Sequence, residues 1–213
     1  MIVIDCDQNS PEWFEARRGK VTASRLSDVL AKSAKGYSAG RANYAADLVI
    51  ERLTGTTIEN IITTKPMEWG KENEDNARMQ YQFLTGARCE RVGLVMHPRI
   101  TMACASPDRL VDDDGLLEIK CPNTATHIKT LLGGAIDSAY LQQMHWQLAC
   151  TGRKWVDFVS YDPRLPPEFQ LEVRRIPRDP IKLAEIERDV ITFLKEVDDT
   201  VSELNAKFRP IAA

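Results

Sequence analysis

Ser106-Pro107-Asp108-Arg109-Leu110-Val111-Asp112-Asp113-Asp114-Gly115-Leu116-Leu117-Glu118-Ile119-Lys120-Cys121-Pro122 is the stretch whose reading decides the fold. Its run of aspartates closing on a glycine predicts a turn. That turn joins the segment after the Pro-Asp pair to a strand over Gly115–Cys121. Side chains alternate faces along a strand, so Glu118 and Lys120 share one face. Leu117, Ile119 and Cys121 take the other, which is expected to meet a core, making this a half-buried strand. The turn brings Asp108 back beside Glu118. Two carboxylates converging on one spot repel each other unless a cation lies between them. Their hard oxygens select Mg²⁺ or Mn²⁺ over softer metals. The backbone carbonyl of Ile119 could complete the protein ligands. Lys120, on the same face, is placed to orient a water or to stabilise developing negative charge. Such a layout suits metal-assisted hydrolysis of a phosphodiester. A bare E-x-K triplet is common, however. The same residues also fit a surface hairpin with ordinary salt bridges among Asp108, Glu118 and Lys120, and taken alone they leave both readings open.

Helices are expected on either side of this segment. Ser10 or Asn9 ahead of Pro11 reads as an N-cap and first helical position, with a short helix to about Arg18 and Gly19 beyond it. Thr22 can cap a second helix to about Lys32. Lys35 to Ser38 reads as a loop, and Ser38 starts a longer helix ending at Gly55. From about Met67 to Thr85 the stripe Trp69, Asn73, Ala77, Tyr81, Leu84 predicts another helix, stopped by Gly86. Further strands are expected over Gly93–His97, Thr101–Ala105, Trp155–Tyr161 and Phe169–Ile176. A helix over Asp137–Thr151, capped by Gly152, interrupts them. Pro180 opens a last helix to about Lys207, with Ile181, Ala184, Val190, Ile191 and Leu194 as apolar positions. No repeat, linker or low-complexity stretch divides the chain, so one α/β domain with a central mixed β-sheet flanked by helices on both faces is expected.

The 213 residues suffice for one well-buried domain, and 43% hydrophobic with 28% charged residues is an ordinary globular mix. No apolar run reaches membrane-spanning length, no basic segment with an apolar run marks a secretory signal, and a cytoplasmic location is expected. Five cysteines, an odd number without a Cys-x-x-Cys pair, argue against a disulfide framework. The net charge of −3 runs against a nucleic-acid binder. Between Ala16 and Arg41, however, Arg17, Arg18, Lys20, Arg25, Lys32, Lys35 and Arg41 face only Asp28, a local excess of +6 over 26 residues. That is enough to hold phosphates, or simply to coat a solvated helix.

Four ordered blocks between Trp13 and Asp162 carry a family resemblance. They are W-F-E-A-R-R-G-K-V-T-A-S at Trp13–Ser24, Trp69-Gly70-Lys71 with Glu74, Ser106-Pro107-Asp108 with Glu118-Ile119-Lys120-Cys121-Pro122, and Ser138-Ala139-Tyr140 with Gln143. Tyr161-Asp162-Pro163-Arg164 is a weaker fifth. Together they resemble the lambda exonuclease and YqaJ viral recombinase family, a branch of the PD-(D/E)xK nucleases with a restriction-endonuclease-like core. The resemblance implies a single nuclease domain over residues 1–213: a catalytic core from about 67 to 162, a helical DNA-end-binding part from about 9 to 55, and a C-terminal helix from about 180 to 207. It implies that Asp108, Glu118 and the Ile119 carbonyl bind metal, that Lys120 positions or activates the water, and that Glu74 lies near the metals, where it could hold a second ion or order water. Arg17, Ser24, Ser106 and Gln143 would form a pocket for the 5′-terminal phosphate. The donor types suit that task, since a guanidinium, hydroxyls and an amide can anchor a phosphate dianion. Met67 is a candidate wedge between the strands, with ordinary core packing as the alternative.

The implied activity is a Mg²⁺-dependent 5′→3′ exonuclease, Mn²⁺ substituting, with one or two ions. It acts on linear double-stranded DNA with 5′-phosphorylated ends, releases 5′ mononucleotides, and leaves 3′ overhangs for recombination. Family members are toroidal homotrimers that work with a single-strand annealing protein, and they point to a phage or prophage origin. Other PD-(D/E)xK endonucleases, a single-strand exonuclease and a non-catalytic DNA-end-binding module remain alternatives. The chain departs from the pattern at Arg109, where the family commonly has glycine.

Overall fold

The computed structural model describes residues 1–33, 36–58 and 64–208. The chain opens with β1 (Ile2–Ile4), α1 (Pro11–Arg17) and β2 (Val21–Thr22). A 3-10 turn (Ala23–Arg25) leads into α2 (Leu26–Leu30), the small hairpin β3 (Lys32–Ser33) and β4 (Gly36–Tyr37), and then α3 (Ala39–Thr54) and α4 (Lys65–Thr85). Five strands follow: β5 (Cys89–Glu90), β6 (Leu94–Met96), β7 (Ala103–Ala105), β8 (Arg109–Val111) and β9 (Gly115–Lys120). Next come α5 (Thr124–Leu131), α6 (Ser138–Thr151), β10 (Trp155–Tyr161), a 3-10 turn at Pro167–Phe169, β11 (Leu171–Pro177) and α7 (Pro180–Phe208).

Local chemistry sets the helix ends. The Ser10 hydroxyl accepts from the Trp13 N–H at 3.2 Å, the Ser38 hydroxyl from the Arg41 N–H at 3.4 Å, and Asp137 from the Ala139 N–H at 2.8 Å. Each satisfies a backbone donor that the first turn leaves over. Gly86 closes α4 at φ 71° and Gly152 closes α6 at φ 77°, left-handed conformations that cost glycine nothing. Thr22 precedes the 3-10 turn without its side chain capping it. The loop read at Lys35–Ser38 overlaps β4; Lys35 itself lies outside the described residues.

The single central sheet expected from the sequence is two mixed sheets in the structure, plus the β3–β4 hairpin. One runs β1-β6-β7-β2 and the other β11-β10-β9-β8-β5. In the larger sheet β9 pairs antiparallel with β8 and parallel with β10. Helices do cover both faces of this sheet. Leu117 and Ile119 pack with Ala77 and Tyr81 of α4. Leu116 and Phe158 join Met144 and Leu148 of α6 and Val190 and Phe193 of α7 in the main core. β9 is therefore buried on both faces rather than half-buried. The short pieces β1, β2, β5 and β8 span two or three residues, too few for an alternating pattern to register in the sequence. On α7 the buried positions are Leu183, Ile186, Val190, Phe193, Leu194 and Val197, whereas Ile181 and Ile191, read as part of the apolar face, are exposed. The cause is α3, against which α7 packs: Phe193 stacks on Tyr44, and the buried Arg41 pairs with Glu196. All five cysteines carry free thiols, and none of the described helices is long and apolar enough to cross a membrane.

Gly115 lies opposite Trp155 where β9 meets β10. A Cβ there would overlap the Trp155 indole. Gly115→Ala is expected to destabilise the fold by about 1–3 kcal/mol, the usual range for overpacking, seen as a lower urea midpoint at unchanged m-value.

Candidate active site

The β8–β9 ladder sets the first contact of the site. Its register, Arg109 opposite Leu117, carries the residue before β8, Asp108, to the level of Glu118. The Ile119 N–H donates to Asp108 Oδ2 at 2.6 Å. In an extended strand a residue's N–H and C=O point to the same edge, so the Ile119 carbonyl opens toward Asp108 as well.

Glu118 is 1% exposed, and an ionised carboxylate survives that burial only with strong partners. It has three. Its Oε1 accepts from Gln143 Nε2 at 2.7 Å and pairs with Lys120 Nζ at 2.6 Å, while Oε2 accepts from Gln147 Nε2 at 2.6 Å. Lys120 Nζ also reaches Gln143 Oε1 at 3.4 Å and lies 4.7 Å from the centre of the Tyr140 ring. Tyr140, Gln143 and Gln147 recur at helical spacing, so one stripe of α6 supplies the whole polar lid over Glu118 and Lys120. The side chains of Asp108 and Glu118 thus share one end of β9, with Lys120 beside them.

Burial raises the Asp108 carboxyl well above the usual carboxylate range, and the neighbouring Glu118 and Glu74 push it further; Lys120 and the Ile119 N–H only partly offset this. Burial opposes the charge on Lys120, but Glu118 and Asp108 outweigh it and hold the ammonium above the ordinary lysine value. Lys120 thus stands as an ammonium paired with Glu118. Among the described residues no group of three or more His, Cys, Asp and Glu side chains is arranged to hold a metal ion by itself. The hard oxygens available at this end of β9 are those of Asp108, Glu118 and the Ile119 carbonyl, and a divalent cation would relieve the repulsion that adds to burial in raising Asp108. Glu74, on α4, is engaged elsewhere: its Oε1 accepts from Arg109 Nη1 at 2.8 Å.

Two clefts adjoin this centre. The first, about 510 Å³, is lined by Arg17, Ser24, Ser106, Gln143 and Met67, bringing together every residue expected at a terminal phosphate and the candidate wedge. The Arg17 guanidinium lies 3.7 Å over the Trp13 ring, and Trp13 Nε1 donates to Ser106 Oγ at 2.8 Å. Trp13 thereby joins two walls of the cleft. Ser24 is exposed in the 3-10 turn, 3.4 Å from the Thr22 hydroxyl. Met67 is 48% exposed in the first turn of α4 rather than packed in the core. Gln143 lines the cleft while its amide is occupied by Glu118 and Lys120. The second cleft, about 500 Å³, is lined by Glu74, Asp108 and Arg109. Gln8 and Asn9 line both, and Gln8 is held by its amide to the Val92 and Pro107 carbonyls at 3.0 and 2.9 Å.

The YqaJ-like viral recombinase domain matches residues 12–154. The chain belongs to that family. The crystal structure of LHK-Exo in complex with dAMP superposes with a TM-score of 0.88 at 48% identity, covering 95% of this chain and all of the other. The structure of the Laribacter hongkongensis protein, described as an alkaline exonuclease (LHK-Exo), superposes at 0.87 with the same identity and coverage. A phage-related exonuclease from Haemophilus somnus 129PT shares the fold, with a TM-score of 0.64 at 16% identity, over 87% of this chain and 96% of its own. No curated relative matches the chain. The restriction-endonuclease-like architecture expected from the sequence is thus the fold found.

Sequence reading missed Gln147, Gln8 and Asn9. Gln147 carried a usable signal, since it follows Gln143 by one helical turn; Gln8 and Asn9 carried none. Because the folded state raises the Asp108 pKa, native protein binds more protons than unfolded chain, and stability falls as pH rises from the ordinary carboxylate range through that raised value. Asp108→Asn in EDTA is therefore expected to melt higher than wild type at pH 8, about 2–4 °C for each kcal/mol relieved, and to lose that advantage near pH 4. Thermal unfolding followed by circular dichroism at both pH values checks this.

Proposed function

We propose that this chain is a divalent-metal-dependent exonuclease acting from the 5′-phosphorylated ends of linear double-stranded DNA. The observation that carries the reading is the adjacency of the Asp108–Glu118–Lys120 cluster to one cleft lined by Arg17, Ser24, Ser106 and Gln143. A cation held by Asp108, Glu118 and the Ile119 carbonyl would supply positive charge to the phosphate under attack and acidify water. Hard oxygen donors favour Mg²⁺, with Mn²⁺ able to substitute.

The chain's own side chains supply the rest. Lys120, fixed as an ammonium by Glu118, donates to negative charge developing at the phosphate. Arg17, Ser24, Ser106 and the Gln143 edge hold the terminal phosphate, and anchoring the end fixes which bond reaches the carboxylates. Glu118 is oriented by Gln143 and Gln147, so the pair is preorganised before substrate arrives. Met67, at the mouth of the cleft, is placed to part the strands. Stepwise action from a 5′ end releases 5′ mononucleotides and leaves 3′ overhangs, the substrate of strand annealing in recombination. The relative solved with dAMP supports mononucleotide release. A ring of three copies around the duplex, working with a single-strand annealing protein, accords with this role. It also accounts for the net charge of −3, since only the lining of such a ring needs to be basic.

The test is digestion of linear duplex labelled at one end, with and without a 5′-phosphate, in Mg²⁺ and in EDTA. Expected are metal-dependent release of mononucleotides, faster digestion of the phosphorylated end, and a loss of about 10²–10³-fold in Lys120→Ala. Arg17→Ala should digest both ends alike. Cutting of closed circles at a comparable rate would replace the exonuclease with an endonuclease, and inactivity in every metal would refute the nuclease.

A further inference from the structure

Among the described residues, three cations line the first cleft: Arg17, Arg25 and Lys71. Arg17 lies 3.7 Å over the Trp13 ring, and Arg25 pairs with Asp28 at 2.6 Å and Asp47 at 3.1 Å. Lys71, exposed on α4, differs from both. Three carboxylates stand at helical spacing from it: Glu68 three residues before, Glu74 three after and Asp75 four after. Among the described residues, none of them pairs with it. Arg109 takes Glu74 at 2.8 Å and Asp75 at 2.9 Å, and Asp75 is shared further with Arg78 and Arg91. The ammonium is thus left facing the cleft. Its place along α4 is also defined. Met67, exposed at the mouth, lies one turn nearer the helix start, about 6 Å along the axis, and Glu74 lies about 4.5 Å further on. Glu74 in turn is close enough to Asp108 to push its carboxyl up. Lys71 therefore marks the stretch between the mouth and the carboxylates.

We propose that Lys71 binds the second internucleotide phosphate of the strand being degraded, the one on the duplex side of the bond under attack. The inference rests on the 5′-end exonuclease reading given above. With the terminal phosphate in the Arg17 pocket and the first internucleotide phosphate at Asp108 and Glu118, the strand must run back out past Lys71 to reach the duplex. The next phosphate arrives there, where a cation without a protein partner meets it. Hydrolysis breaks the bond to the 3′ oxygen of the first nucleotide and leaves the attacked phosphate on the shortened strand as its new 5′ end. The mononucleotide departs with the phosphate that Arg17 held. The phosphate on Lys71 takes no part in the cut, so this contact keeps the strand in the cleft while the new end moves into the pocket. A lysine suits that task. Its compact charge on a long, exposed stem can follow a moving phosphate, which the fixed fork of an arginine does less readily.

The first cut on a 5′-phosphorylated linear duplex in Mg²⁺ tests this. The duplex is either native or carries one neutral methylphosphonate in place of the second internucleotide phosphate. In wild type that replacement should lower kcat/KM about tenfold, the loss of one charge-assisted contact. Lys71→Ala should lose about tenfold on the native duplex and nothing further on the modified one. Lys71→Arg should stay within about threefold of wild type on native DNA and keep its sensitivity to the methylphosphonate. Removing the terminal 5′-phosphate should slow wild type and Lys71→Ala by the same factor. Lys71→Ala should also melt with wild type, since its side chain is exposed and unpaired among the described residues. Three results would overturn the assignment of Lys71 alone: full activity in Lys71→Ala, losses that multiply when variant and modified duplex are combined, or a defect that disappears on the unphosphorylated end. In each, wild type still digests from the phosphorylated end and the exonuclease reading stands. Wild type that cuts neither duplex in any metal would overturn that reading, and this assignment with it.

Discussion

Glu118 is a charge held in a buried strand, close to its C-terminal end. β9 has a hydrogen-bonded neighbour on each side and helices over both faces, so the carboxylate has almost no water to turn to. The Gln143 and Gln147 amides and the Lys120 ammonium replace that water. Much else follows. The α6 helix must present a polar stripe to an otherwise apolar interface, and its register against β9 can shift little without stranding the charge. Lys120 is kept protonated by the carboxylate it neutralises. Asp108 comes to rest beside an occupied site, and its own charge is the one left without sufficient relief. The arrangement holds order at Glu118 and tension at Asp108, and the tension is where a cation gains most.

The hairpin that carries Asp108, Glu118 and Lys120 was legible in the sequence because its signals are local. Three aspartates and a glycine turn the chain, and period-two alternation sets Glu118 and Lys120 side by side. Helix ends were legible for the same reason, through Ser10, Ser38, Asp137 and the glycines that follow α4 and α6. What failed depended on distant partners. The division into two sheets rests on pairings such as Val21 with Ala103, far apart in the chain and only two residues long. The helix α5 went unread because its apolar positions are few, although Asn123 caps it, accepting from the Thr126 N–H. The phase of α7 is decided by α3, not by α7 itself. Arg109 could be recognised as a departure, but its grip on Glu74 and Asp75 requires α4 to lie beside β8.

Charge shows the same limit. The +6 excess between Ala16 and Arg41 reads as a basic patch, yet the fold spends part of it internally. Arg18 pairs with Glu15, Arg25 with Asp28 and Asp47, and Arg41 with Glu196. Arg17 and Arg25 line the cleft, joined there by Lys71 from α4, a cation outside the basic segment. Counting cations along the chain overstates the field a phosphate would meet and misses a contributor that only folding brings in.

The pieces of the site are spread along the chain in an order that matters while it is being made. The cleft walls come from residues near the N-terminus and from Ser106, but Gln143 and Gln147 belong to α6, and β10 completes the sheet beyond it. A chain still attached to the ribosome has Asp108, Glu118 and Lys120 well before it has the amides that hold Glu118 in place or the strand that flanks it. Until α6 and β10, which end about three quarters of the way along the chain, have emerged, Glu118 has no reason to leave water and the carboxylates have no fixed partners. Synthesis order thus delays the assembly of the centre until most of the polypeptide has been made, and a chain stopped before α6 carries the early cleft-lining residues without an assembled centre.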